Sequence, residues 1–188
     1  MKIKAIALIL VLVVSLFSGC GREPAPAPTQ PPQTTPPETT PDVVTTASIV
    51  NTAGAFEQAI SSTGTWLIAI TEDLTIDREL VLDGEFKNGR KDDDGKDIIQ
   101  RKIALYTQDE NRNVTARFTL TAPRLTVNSP EARIQSGTFK GDVYVSARNF
   151  QLVDATIDGN LYFTTDEAQE TFQMDDTSKV TGEQALKK

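Results

Sequence analysis

Two eight-residue segments with the same pattern of apolar, Gly and Tyr positions constrain the fold of this chain more than any other feature of its sequence. Residues 138–145 read TFKGDVYV and residues 156–163 read TIDGNLYF, so the apolar, Gly and Tyr positions coincide at an offset of 18. A weaker third copy, KVTGEQAL, follows at residues 179–186, offset by 23. Repeats of this length with variable insertions are typical of coils in which each strand stacks on the preceding one. The repeat therefore predicts a parallel β-solenoid.

Strand periodicity assigns a direction to each position of the repeat, because successive side chains of a strand point to opposite faces. The alternation directs Lys140, Tyr144, Asp158 and Tyr162 outward, and it directs six apolar residues inward: Phe139, Val143, Val145, Ile157, Leu161 and Phe163. An earlier copy is read in residues 74–76 with 82–86, which recurs as residues 125–127 with 135–139.

The remainder of the domain also reads as short strands. Residues 53–60, with Asn51 and Thr52 as N-cap candidates, are predicted to form a helix, and nothing after Ser62 requires another. We expect an all-β fold, a small parallel β-solenoid with an N-terminal capping helix. An antiparallel sandwich or barrel is the alternative, because short alternating strands occur in both. Predicted strands cover residues 66–70, 74–76, 79–82, 102–106, 117–120, 125–127 and 133–135.

The turns Gly141-Asp142-Val143 and Gly159-Asn160-Leu161 resemble those of bactofilins, which are polymer-forming bacterial β-helix proteins, over residues 138–186. The opening helix and residues 66–76 are similar to the N-terminal cap and first coil of pectate-lyase-like right-handed β-helices. These resemblances imply a right-handed solenoid. No residue set matches the calcium site and catalytic arginine of such lyases, so no enzymatic activity is implied.

The first 20 residues indicate an exported lipoprotein. Two lysines precede an apolar run that ends in Leu16-Phe17-Ser18-Gly19-Cys20, and Cys20 is the only cysteine of the chain. This layout predicts a signal peptide at residues 1–19, with a membrane-spanning anchor or a buried core helix as alternatives. The residues before Cys20 resemble a bacterial lipobox, although Phe17 replaces the usual Leu. The resemblance implies acylation of Cys20 and an extracytoplasmic, lipid-anchored protein.

Residues 20–45 form the predicted linker, since Pro and Thr dominate and large apolar residues are nearly absent. A Pro-rich extended chain rises about 3.1 Å per residue, so the linker suits a stalk that holds the domain away from the membrane. A Pro-rich peptide ligand for a partner domain is the alternative. The solenoid domain then spans residues 46–188.

Composition excludes several classes of function. The chain has no His, which removes Ser-His-Asp triads and His-ligated metals. It carries 19 Lys and Arg against 26 Asp and Glu, a net charge of −7 that disfavours nucleic acid as a partner. We expect no cofactor, no metal and no enzymatic activity. The expected function is a structural or binding role in the cell envelope, through self-association or through cell-wall glycan; a carbohydrate-binding or polysaccharide-degrading module is the alternative.

Three groups of residues are candidate sites. Tyr144 and Tyr162 share a repeat position and are predicted to lie one above the other, either as a platform for a sugar ring or as a ladder that supports the sheet. Asp142, Asn160 and Glu183 form a polar column, in which catalysis would need paired carboxylates. Residues 87–97 are rich in Asp but lack EF-hand spacing, which favours a solvated insertion over a calcium loop.

Overall fold

The computed structural model describes residues 48–188, so the predicted signal peptide, Cys20 and the whole predicted linker lie outside the described residues. The described part contains helices α1 (Ala53–Ile60) and α2 (Asp166–Glu170). Its strands are, in chain order, β1 (Ser48–Ile49), β2 (Leu67–Ala69), β3 (Leu74–Thr75), β4 (Leu80–Leu82), β5 (Lys87–Lys91), β6 (Asp97–Ile99), β7 (Arg101–Ala104), β8 (Tyr106–Gln108), β9 (Val114–Arg117), β10 (Thr119–Val127), β11 (Ala132–Gln135), β12 (Thr138–Val145), β13 (Gln151–Val153), β14 (Thr156–Asp158), β15 (Leu161–Phe163), β16 (Gln173–Met174), β17 (Lys179–Val180) and β18 (Gln184–Leu186).

Most of these strands belong to two parallel sheets between which the chain alternates. The first sheet has the order β1-β2-β7-β11-β13-β16, and the second contains β17-β14-β12-β10-β3 with β4, β15 and β18 beside them. Every strand pair within these two sheets is parallel. We call one circuit of the chain through both sheets a pass, and strands of one pass pair with the equivalent strands of the next. The all-β prediction is confirmed, and the antiparallel alternative is wrong for the described residues.

The repeat alignment agrees with the strand register. Thr138 lies opposite Thr156 and Tyr144 opposite Tyr162, which reproduces the offset of 18. Thr156 lies opposite Lys179, which reproduces the offset of 23. These pairings confirm the alignment of the last three copies.

The earlier alignment is wrong in its register. Leu74 lies opposite Leu120, and the partner of Leu125 is Leu80. The nine-residue strand β10 spans two short strands of the preceding pass, so the Leu-Thr-aliphatic triplet occurs at both of its ends. Both triplets of β10 have the same alternation of apolar and polar residues. The sequence match of residues 74–76 therefore does not show which of the two pairs with them.

The predicted direction of each side chain in the repeat is confirmed. The six predicted inward residues are at most 3% exposed, and they belong to one continuous apolar core. Lys140 and Asp158 are exposed, while Tyr144 and Tyr162 are half-buried on the outer face of the second sheet.

Backbone contact explains the glycine that recurs in each copy. A Cβ on Gly141 would overlap the carbonyl oxygen of Ala122, and a Cβ on Gly159 would overlap that of Gly141. Gly182 continues the column against Gly159. Since Gly141 also has a φ of +139°, a side chain is disfavoured there both by conformation and by space. The glycines thus allow consecutive passes to touch through their backbones.

The two helices occupy different places along the chain. Helix α1 begins as predicted, with the Thr52 hydroxyl accepting from the Ala55 N–H, and it packs on β2 and β4.

Helix α2 contradicts the expectation that no helix follows Ser62. Its N-cap is Thr165, and its buried Ala168 packs close to β15. Five residues are too few to show a helical period in sequence.

Two insertions project from the early passes as antiparallel hairpins. The charged stretch at residues 87–97 lies within hairpin β5–β6, where Asp97 forms ion pairs with Lys87 at 2.6 Å and Lys91 at 3.1 Å. Hydrogen bonds from both ammonium groups lower the pKa of Asp97. Nearly all of the stretch is exposed, in agreement with the predicted solvated insertion. The second insertion, hairpin β8–β9, lies between β7 and β10.

A buried cation joins helix α1 to the first passes. Arg101 is fully buried; its Nη2 donates to the carbonyl oxygens of Ala59 and Ser61 at 2.8 Å, and its Nη1 donates to that of Asp83 at 2.9 Å. The guanidinium carbon lies 3.8 Å from the centre of the Phe86 ring. Burial lowers the pKa of Arg101 to about 10, opposed by the charge of Asp83, so the side chain remains cationic at neutral pH. The cation therefore pairs with the electron-rich end of α1.

We predict that Arg101→Met destabilises the protein by about 3 kcal/mol, because the carbonyl oxygens of Ala59, Ser61 and Asp83 each lose a hydrogen bond from a buried cation. Arg90→Met is the control, since Arg90 is exposed and this change should alter stability by no more than about 0.5 kcal/mol. Urea unfolding measures both values, and amide exchange in residues 56–60 should accelerate only in Arg101→Met. Equal unfolding midpoints would contradict the capping role of Arg101.

We predict that Val143→Thr costs about 1 to 3 kcal/mol, because it places an unpaired hydroxyl at a fully buried position. Val81→Thr makes the same chemical change at a position that is 47% exposed, and its cost should stay within about 0.5 kcal/mol. Urea titration of both variants tests the in-out register. A larger loss from Val81→Thr would show that the register is wrong.

Candidate ligand-binding groove

The outer face of the first sheet carries two rows of side chains at strand spacing. One row contains Leu67, Lys102, Arg133 and Gln151, which lie opposite one another on successive strands. The neighbouring row contains Ile49, Ala69, Ala104 and Gln135. Because neighbouring strands are about 4.8 Å apart, Lys102 and Arg133 place two cations side by side although 31 positions separate them in sequence.

Hairpin β8–β9 forms a wall beside these rows and turns the sheet face into a groove. Tyr106, Thr107, Gln108 and Arg112 line the groove from the hairpin side. The hairpin base is closed by a 2.8 Å hydrogen bond from the Phe118 N–H to the Leu105 carbonyl. The resulting groove has a volume of about 640 Å³, within the range of small-molecule sites.

The groove is cationic in a domain that is otherwise acidic. Lys102, Arg112 and Arg133 line it, and none of the described residues that line it is Asp or Glu. Within the described part of the chain, none of these three cations has a carboxylate oxygen within 4 Å, whereas eight ion pairs form elsewhere. Unpaired cations that converge beside apolar surface favour an anionic ligand.

Neutral side chains hold two of the cations in place. The Lys102 ammonium donates to the Tyr106 hydroxyl at 2.9 Å and lies 5.1 Å from the centre of its ring. The Arg133 Nε donates to the Gln151 amide oxygen at 3.0 Å. Both cations are thereby positioned without being neutralised, so their charge remains available to a ligand.

The remaining polar groups of the groove suit a hydroxylated ligand. Thr71, Thr107, Gln108 and Gln135 supply hydroxyl and amide groups, and Leu67 supplies an apolar surface beside them. Amides pair with sugar hydroxyls as donor and acceptor, while an apolar surface packs against the C–H face of a ring. The groove thus combines the contacts that an acidic sugar needs.

The two sequence-predicted tyrosines lie on the second sheet, away from the groove. Their ring centres are 5.0 Å apart, close to the strand spacing of about 4.8 Å, and the ring planes are tilted by 50°. The Arg124 guanidinium lies 4.3 Å from the Tyr144 ring, and the Lys187 ammonium lies 4.3 Å from the Tyr162 ring. Partial burial raises the pKa of Tyr162, an effect that Lys187 opposes. The pair therefore stands between two cations, an arrangement that favours a supporting ladder over an open platform for sugar.

The polar column beside the tyrosines is a hydrogen-bond ladder. The Asn160 amide and backbone N–H both donate to Asp142 Oδ1, at 2.9 and 3.0 Å. The Glu183 N–H donates to Asn160 Oδ1 at 2.9 Å. Asp142 is thus occupied by backbone and amide donors, which suits support of the glycine turns better than acid-base chemistry.

Two further findings concern the described residues as a whole. Within residues 48–188, no three His, Cys, Asp or Glu side chains converge in a way that could hold a metal ion. The helices in this range are too short and too polar to cross a bilayer.

Sequence reasoning missed the groove, although one signal for it was present. The signal is the pair Lys102 and Tyr106, which flank three apolar residues of the strand predicted at residues 102–106. Neither residue belongs to a repeat copy, so the repeat did not draw attention to them. Only the pairing of β7 with β11 brings Lys102 and Arg133 together. Comparison of the chain with protein-family models, with curated proteins and with solved structures finds no match.

Proposed function

We propose that this protein is a lipid-anchored, extracytoplasmic binding protein whose right-handed β-solenoid domain holds an anionic glycan in the groove over its first sheet. The supporting observation is the convergence of Lys102, Arg112 and Arg133 on a groove lined by Tyr106 and amide side chains. Among residues 48–188, no carboxylate forms an ion pair with any of these three cations. The alternation of the chain between two parallel sheets supports the solenoid, and the resemblance to β-helix proteins supports its handedness.

Binding is a better proposal than catalysis at this site. Cleavage of a glycosidic bond by the common mechanism needs two carboxyl groups, one on each side of the bond. The groove lining supplies cations, amides, hydroxyls and one phenol, and the part of the chain that the structure describes adds no carboxyl group to it. These groups orient and neutralise an anionic chain without an acid-base pair to break it.

A scaffold built by self-association is less well supported. The last pass ends both sheets with strands β16, β17 and β18, which are two or three residues long. Short strands with charges around them resist edge-to-edge pairing, and exposed Asp175, Asp176, Lys179 and Glu183 surround this edge. Met174 is 42% exposed there, but a single apolar side chain is common on protein surfaces.

We predict that Lys102→Gln with Arg133→Gln lowers retention of the full-length protein, in detergent, on immobilised alginate by roughly tenfold or more, because two charge-assisted contacts are lost. Lys140→Gln with Lys179→Gln is the matched control, since both lysines are exposed on the second sheet and the net charge changes equally. Neutral dextran should retain none of these proteins. A similar loss of alginate binding in the control double variant would refute the groove as the site.

We predict that Cys20→Ala abolishes incorporation of labelled fatty acid and leaves an uncleaved precursor, because the acylated thiol is the only one in the chain. Metabolic labelling followed by gel mobility gives the result. Ser18→Ala serves as control, because it changes a neighbouring residue and retains the thiol. Equal labelling of Cys20→Ala and the unmodified protein would remove the lipid anchor from the proposal.

A further inference from the structure

One residue of the groove wall has a backbone conformation that its residue type rarely adopts. Arg112, at the tip of hairpin β8–β9, has a φ of +68° and lines the groove. Among residues other than Gly, this left-handed region favours Asn and Asp, whose short polar side chains tolerate it. Asn111 and Asn113 stand on either side of Arg112. Two better-suited residues therefore adjoin the position that an arginine occupies.

The other left-handed residues have a structural explanation that Arg112 lacks. Among residues 48–188, four further non-glycine residues have a positive φ: Glu131, Ser136, Asn149 and Asp154. They form two pairs at an offset of 18, each at one corner of successive passes, and a side-chain hydrogen bond joins the members of each pair. Stacking of the passes accounts for these four conformations. Hairpin β8–β9 lies outside the stacked strands, so stacking does not account for Arg112.

Hydrogen bonds within the tip hold the backbone that presents Arg112. Asp109 Oδ1 accepts from the N–H groups of Asn111 and Asn113 at 2.9 and 2.8 Å, and the Asn113 amide donates to Asp109 Oδ2 at 2.9 Å. The Arg112 N–H donates to the Asp109 carbonyl at 3.0 Å. Donors of the tip thus occupy Asp109, and no carboxylate of the described residues forms an ion pair with Arg112. The charge of Arg112 therefore remains available at the wall.

Arg112 belongs to a different side of the groove from the other two cations. Lys102 and Arg133 lie on neighbouring strands of the first sheet, whose outer face is the floor of the groove, whereas Arg112 belongs to the hairpin wall. A ligand with one acidic group can pair with the floor alone. In a ligand with several acidic groups, the contact with the wall becomes intramolecular once the floor is occupied, so the second contact multiplies the affinity.

We propose that Arg112 is the residue by which the groove selects an oligoanion, a sugar chain that directs acidic groups at floor and wall together, over a single acidic sugar. The selection rests on the proposed function, because it concerns the same groove. Backbone strain persists where the surrounding structure enforces it, and it is concentrated at functional sites. The unfavourable conformation of Arg112 is retained because this position brings a cation to the wall.

Replacement of Arg112 separates its charge from its backbone conformation in the full-length protein in detergent. Arg112→Asn removes the charge and suits the left-handed backbone, so its urea unfolding midpoint should equal or exceed that of the unmodified protein. Retention on immobilised alginate should fall about fivefold or more, because the contact with the wall is lost. Arg90→Asn is the matched control, since it removes an exposed cation from hairpin β5–β6, and it should bind alginate normally.

Competition at constant ionic strength tests the selection itself. Counted per carboxylate group, trigalacturonate should displace the unmodified protein from alginate at a concentration about fivefold or more below that of galacturonate. In Arg112→Asn this ratio should fall about threefold, because the monomer pairs with the floor and loses little. An unchanged ratio, equal alginate retention by Arg112→Asn and Arg90→Asn, or a lowered midpoint in Arg112→Asn would overturn the role of Arg112 and leave the proposed function standing. Failure of the unmodified protein to bind alginate would refute the proposed function and the selection with it.

Discussion

Parallel backbone pairing between successive passes is the constraint on which the rest of this structure depends. Each inner strand of the two large sheets takes its hydrogen bonds from the previous and the next pass, and each edge strand from one of them, so equivalent residues of each pass fall into rows. Inside the molecule the rows are apolar and close-packed. On the outer face the same register aligns Leu67, Lys102 and Arg133, and so assembles a cationic site from residues that are far apart in sequence.

Close contact between passes imposes its own conditions on the sequence. The column of Gly141, Gly159 and Gly182 brings backbone against backbone where any side chain would collide. Beside it, Asp142 and Asn160 link consecutive passes through side-chain hydrogen bonds. The repeat visible in the sequence therefore results from this contact between passes. The repeat is clearest over residues 138–163 and becomes weaker where insertions separate the copies.

The sequence predicted those parts of the structure that follow local rules. The period-two alternation gave the inward residues of β12, β14 and β15, and Thr52 marked the start of helix α1. The groove depends instead on which strands become neighbours, and no local pattern encodes the pairing of β7 with β11. Arg101 escaped prediction for a related reason: a guanidinium is normally a surface group, and only the three carbonyl oxygens converging on it make burial tolerable.

Hairpin β8–β9 lines the groove but lies outside the stacked strands that form the core. Its two ends meet at the bond between Leu105 and Phe118, and the next pass makes the same corner with only Ser136 and Gly137. The core rows therefore continue past the corner whether a short turn or a long hairpin fills it. Changes in the length or chemistry of that hairpin would reshape one wall of the groove while the stacked passes keep their register. Such a corner is a place where new ligand preferences can arise at little cost to folding.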